Sequence, residues 1–178
     1  QDAGANAYNV AVGFSAGNAV TTGINNTILG GSAGGALTTG SRNTAVGFAS
    51  LATEDANGNN TAMGYAALNT LNVGAEGYNT AVGSNSGKLM SEGVNNSLLG
   101  YNSGAAITTG VRNTLIGSLA GEDMTTTSDN VAIGHQALTS ATIGDGNVAI
   151  GNQTLFTNVA ADRNIAIGYQ ALYLATAA

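Results

Sequence analysis

One pattern, Asn-x-x-(large apolar)-Gly, returns ten times along the 178 residues. Its Asn falls at Asn9, Asn26, Asn43, Asn60, Asn79, Asn96, Asn113, Asn130, Asn147 and Asn164. Eight of the nine intervals have one common length, a step of 17. The remaining step is 19, with its two extra positions between Asn69 and Tyr78. A fixed short period over nearly the whole chain means that each unit is one structural element, and that neighbouring units share a core that none could bury alone.

We number the slots of a unit from its Asn. Slot 5 is Gly in every unit: Gly13, Gly30, Gly47, Gly64, Gly83, Gly100, Gly117, Gly134, Gly151 and Gly168. Slot 4 is always large and apolar, from Val12 to Ile167. Slot 2 is β-branched except for Ser97, and slot 3 is Ala except for Ile28, Leu98 and Leu115. Slot 8 is Ala, Ser or Thr, and slot 9 is Leu or Gly.

Slots 2 to 4 have the composition of a short strand, and slot 5 supplies a corner at positive φ. Alternation places slots 2 and 4 on one face and slot 3 on the other. We expect slots 2 and 4 to face the core, with further short strands at slots 7 to 9 and 10 to 12. Gly in every unit, two or more in most, and no 3.6-residue stripe argue against helices. The expected fold is all-β: a parallel β-solenoid of about ten 17-residue coils in a single repeat domain spanning residues 1–178. At about 4.8 Å per coil it makes a rod of roughly 45–50 Å. The Asn row becomes a ladder of side-chain amides hydrogen-bonded from coil to coil. An apolar slot 3 on the outer face suggests a homo-oligomer, most simply a trimer. The stretch Asn25–Gly47 is echoed four units later at Asn95–Gly117, as block duplication produces.

Composition narrows the partners. Charged residues make up 8% of the chain and the net charge is −6. Lys88, Arg42, Arg112 and Arg163 are too few and too scattered to track phosphates, so nucleic acid and anionic membranes are not expected partners. No apolar run of about 18 residues is present, so membrane insertion is not expected. Cys is absent, which removes disulfides and thiolate metal sites. The chain starts at Gln1 without a signal-peptide pattern, and we read it as a segment of a longer fibre.

Nothing in the chain assembles a catalytic group, a metal site or a cofactor site, and no enzyme is expected. His135 is the sole His, and neither Cys nor a second His is available to complete a zinc site. The acidic pairs Glu54-Asp55 and Glu122-Asp123 fall in the variable half of the unit and read as solvated loop charges. Glu122, Asp123 and Asp129 offer carboxylates to calcium, but the GGxGxD nonapeptide is absent. Slot 6 is the candidate ligand row. It holds Phe14, Phe48, Tyr65, Tyr101 and Tyr169, with His135 in the same row. Aromatic faces there would either stack on sugar rings or pack within the fibre.

The core N-[TVSI]-x-[VIL]-G, plainest at Asn130–Gly134, Asn147–Gly151 and Asn164–Gly168, resembles the repeat in heads of YadA-like trimeric autotransporter adhesins. The stretches Asn43–Leu51 and Gly58–Leu68 also look like repeats of phage and prophage tail-fibre proteins. The adhesin resemblance implies left-handed parallel β-rolls assembled as trimers for attachment, built there on a shorter repeat than the one in this chain. Both resemblances imply an extracellular place, on a virion tail or a cell surface. The expected function is therefore structural and adhesive: a tail-fibre or receptor-binding shaft that meets a host glycan or protein receptor. The alternatives are a bacterial trimeric adhesin head and an ice-binding β-solenoid. Interruptions of the later Thr runs at Glu54, Ser91 and Ala141 weigh against the last.

Overall fold

A computed structural model of the chain describes residues 7–56, 58–74, 76–140, 144–158 and 162–175. Ten three-residue strands occupy slots 2 to 4 of the ten units. They are β1 (Val10–Val12), β2 (Thr27–Leu29), β3 (Thr44–Val46), β4 (Thr61–Met63), β5 (Thr80–Val82), β6 (Ser97–Leu99), β7 (Thr114–Ile116), β8 (Val131–Ile133), β9 (Val148–Ile150) and, after a short β10 (Thr157–Asn158), β11 (Ile165–Ile167). Together they form one parallel sheet in chain order. Register never slips: Thr27 pairs with Thr44, Thr44 with Thr61, and Thr61 with Thr80 across the longer unit. The chain is thus a β-solenoid with about nine full turns between its first and last strands. No helix occurs among the described residues.

The longer unit keeps register because its extra residues are taken up at one corner. Asn72 N–H donates to Ser91 O, as slot 13 does in other coils. Asn95 N–H donates to Gly77 O, as slot 17 elsewhere donates to slot 16 of the coil before. Asn72 and Gly77 therefore hold the ordinary slots 13 and 16, and the two extra residues fall between them in sequence.

Which face of the strand turns inward differs from the expectation. Slot 3 is buried from β2 onward: Ile28, Ala45, Ala62, Ala81, Leu98, Leu115, Ala132, Ala149 and Ala166 are all at most 4% exposed. Slots 2 and 4 point out. Met63, Leu29 and Leu99 are 44%, 47% and 49% exposed. The physical reason lies past the strand, where the path turns inward. Slots 8, 9 and 12 close over slot 3, with Ala67, Leu68 and Leu71 all at 0% exposure in coil 4.

The core slots compensate one another in volume. Where slot 3 is Ile28, Leu98 or Leu115, slot 9 of the same coil is Gly34, Gly104 or Gly121; where slot 3 is Ala45, Ala62, Ala132 or Ala149, slot 9 is Leu51, Leu68, Leu138 or Leu155. A Cβ on Gly121 would stand 2.7 Å from Leu115 Cδ1. Coils 1 and 5 have Ala at slot 3 and Gly at slot 9, because Gly17 and Gly87 lie under Ile28 and Leu98 of the following coil.

Slots 7 to 9 do not form the expected second strand. They belong to two linked turns, seen in coil 1 as Ala16 N–H to Gly13 O at 3.3 Å and Val20 N–H to Gly17 O at 3.1 Å. Slots 7, 9 and 17 all take left-handed φ, as at Ala49 (54°), Leu51 (48°) and Arg42 (60°), so the chain bends sharply there. A strand beyond the turns forms at slots 11 and 12 in the last two coils, where β10 pairs in parallel with β12 (Leu174–Ala175). Glu54 takes the slot-12 core position in coil 3 at 0% exposure.

Candidate functional site

Backbone stacking at slot 5 sets how closely the coils approach. Gly30 has φ +137°, and a Cβ there would lie 2.6 Å from the carbonyl oxygen of Gly47. Both the backbone conformation and the lack of space demand Gly. All the slot-5 Gly from Gly13 to Gly168 share φ between +122° and +141°.

Slot 1 hydrogen-bonds in every coil step. Each Asn Oδ1 accepts the backbone N–H of the next Asn, from Asn9 to Asn26 at 2.8 Å through Asn147 to Asn164 at 2.9 Å. The amide nitrogen turns back to the slot-15 carbonyl of its own coil, as in Asn26 to Gly40 at 2.8 Å and Asn96 to Gly110 at 2.9 Å. Asn43 and Asn60 stand in the same row, with Asn43 Oδ1 accepting from Asn60 N–H at 3.0 Å. The row continues through Asn79, Asn113 and Asn130. A second ladder runs the other way at slot 16, where a side-chain oxygen accepts the N–H of the preceding coil: Ser128 to Val111, Asp145 to Ser128 and Asp162 to Asp145. Both ladders serve the stack, and the slot-1 amides are spent on their own coil or the one before rather than directed at a ligand.

The outer face of the sheet carries the chemistry of contact. Val12, Leu29, Val46, Met63, Val82, Leu99, Ile116, Ile133, Ile150 and Ile167 form one unbroken apolar row at slot 4. Beside it, slot 2 runs Thr27, Thr44, Thr61, Thr80, Ser97 and Thr114, then Val131, Val148 and Ile165. Nine steps of about 4.8 Å and a width near 10 Å give an apolar strip on the order of 400 Å². The expectation that slots 2 and 4 face the core is thus corrected: the strip lies outside, and slot 3 lies within. The inverse size relation between slots 3 and 9 ties those two slots together, but coils 1 and 5 break it, and only the coiled path shows that the two meet in the core.

Slot 6 flanks the strip just beyond the Gly corner. Phe14, Phe48, Tyr65, Tyr101 and Tyr169 are 53–86% exposed, and His135 is exposed with them. Phe48 and Tyr65 stack with ring centroids 5.9 Å apart, and the Phe48 ring lies over Gly31. Gly31, Ser84, Ser118 and Asn152 interrupt the aromatic row.

Two of the three slot-17 arginines, Arg42 and Arg112, pair with acids. Arg112 grips Asp129 through two bonds of 2.6 and 2.8 Å, which lowers the Asp129 pKa and raises that of Arg112. Arg42 bonds Glu76 at 3.1 Å, a carboxylate carried by the longer coil. Asn59 bonds the other oxygen of that carboxylate. No group of three or more His, Cys, Asp or Glu side chains disposed to hold a metal occurs among the described residues. No helix long and apolar enough to cross a membrane occurs there either. No family model, curated protein or solved structure matches the chain.

Proposed function

We propose that the chain is a shaft segment of an extracellular attachment fibre, a phage tail fibre or similar, in which three copies pack through their slot-2 and slot-4 rows. The single observation that carries this reading is the unbroken apolar row from Val12 to Ile167 on the outside of the coil. An exposed strip of this size, straight and regular, fits a partner of the same period. A second copy has that period by construction. Slot 3 is buried and cannot meet a sister chain, so the apolar face available to one is that of slots 2 and 4. A cyclic axis along the rod keeps all copies parallel at any length, whereas a two-fold axis across the rod would reverse one of them. The choice of three rests on the resemblance to adhesin heads and tail-fibre repeats. Slot 6, at the strip's edge, either joins the packing or faces a host glycan.

Light scattering of the chain should report about three times 17.4 kDa. Val82→Asp with Leu99→Asp should reduce the assembly to monomers, because two buried carboxylates per copy would lose their water. A monomeric wild-type chain would overturn the reading. The slot-2 row of Thr27, Thr44, Thr61, Thr80, Ser97 and Thr114 is the unbroken hydroxyl row that the later Thr runs lacked, and it favours ice binding as the second reading. Protruding Met63, Leu99 and the slot-6 rings spoil a flat lattice match, so we rank it lower. Thermal hysteresis from a monomer would reverse that order. A bacterial adhesin head shares the proposed packing.

A further inference from the structure

Coil 6 carries Ala105 and Ala106 at slots 10 and 11, where coil 5 carries Lys88 and Leu89 and coil 7 carries Glu122 and Asp123. The small side chains leave a notch of about 290 Å³ between the longer ones. Coils 5 and 7 are two inter-strand steps apart, about 9.5 Å between backbones, which leaves a trough one coil wide between the walls. Lys88 is the only lysine of the chain and stands two full repeat units before Glu122, so only the coiling brings the two signs together.

The walls are held but not neutralised. Asn102 Nδ2 donates to Glu122 Oε1 at 2.8 Å, and Asn85 Nδ2 donates to Asn102 Oδ1 at 3.1 Å. Ser140 Oγ donates to Asp123 Oδ2 at 3.3 Å. Lys88, Glu122 and Asp123 enter no ion pair among the described residues. Asn85 Oδ1, at the end of the amide chain, is buried without a hydrogen-bond partner. A cation on one wall, two carboxylates on the other and a methyl floor describe a site for a dipolar molecule with one apolar face.

We propose that this notch binds a zwitterionic sugar, a pyranose bearing both an amine and a carboxylate. The amine lies toward Glu122 and Asp123, the carboxylate toward Lys88, and the C–H face of the ring rests on Ala105 and Ala106. The notch is separated from the strand face by the corners at slots 5, 7 and 9, and it does not depend on the trimer reading.

Titration calorimetry of the whole chain with muramic acid, glucosamine, glucuronic acid and glucose tests it. Muramic acid should bind at least about tenfold more tightly than either singly charged sugar, and glucose least. Lys88→Gln should weaken muramic acid about tenfold and leave the thermal midpoint unchanged. Ala105→Leu fills the notch without altering charge and should abolish binding; if it also perturbs folding, Lys88→Gln carries the test alone. No heat with muramic acid, equal binding of a singly charged sugar, or indifference to Lys88→Gln would each overturn the proposal.

Discussion

The side-chain oxygen of Asn79 accepts the backbone N–H of Asn96 at 2.9 Å, one coil further along. Asn96 repeats the gesture to Asn113, also at 2.9 Å, and spends its amide nitrogen on Gly110 O. Both residues are buried. Replacing Asn96 by Ala strands the N–H of Asn113 and the carbonyl of Gly110. The expected cost is about 2–6 kcal/mol, at about 1–3 kcal/mol per orphaned group. Urea unfolding of Asn96→Ala checks it; a loss below about 1 kcal/mol would mean that water replaces the amide.

Slot-5 and loop glycines should differ sharply. A Cβ on Gly83 would press directly against the Gly100 carbonyl oxygen at φ +137°, whereas one on Gly74 meets nothing within 4 Å. Gly83→Ala should cost more than about 3 kcal/mol, because strain and clash add. Gly74→Ala should stay within about 0.5–1 kcal/mol of wild type. Thermal midpoints of the two variants make the comparison.

Core volume should be exchangeable within a coil. Leu115→Ala alone opens a cavity costing about 2–5 kcal/mol. Gly121→Leu alone drives a side chain into Leu115 and Met124, at about 1–3 kcal/mol or more. The double variant recreates the Ala132 and Leu138 pairing of the next coil, where Leu138 already holds φ 54°. Its loss should fall short of the sum of the singles by at least about 1 kcal/mol in a double-mutant cycle.

Acid should release one surface clamp. Hydrogen bonding from Arg112 lowers the Asp129 pKa below its ordinary value. A depressed carboxylate contributes stability above its unfolded pKa, and that contribution is lost as pH falls through the folded value. The side chains are 58% and 48% exposed, so the contribution is small. Asp129→Asn should lower the melting temperature slightly at neutral pH, and the difference should close as the pH falls below the ordinary carboxylate range. A gap that persists in acid would assign the effect to packing.

The repeat itself determined a great deal. A near-constant period, Asn at slot 1 and Gly at slot 5 are enough to require stacked coils, parallel in-register pairing and a positive-φ corner. These follow from local chemistry repeated at equal intervals. The phase of the strand was decided only in three dimensions. Ala at slot 3 and Val or Ile at slot 4 are both apolar, and alternation states only that they part company. What chose between them is the left-handed turning at slots 7, 9 and 17, which folds slots 8, 9 and 12 back over slot 3 and turns the larger side chains out. The same stacking set Lys88 across a gap from Glu122 and Asp123. Two whole units of chain separate them in sequence, and winding shortens that path to two steps along the rod.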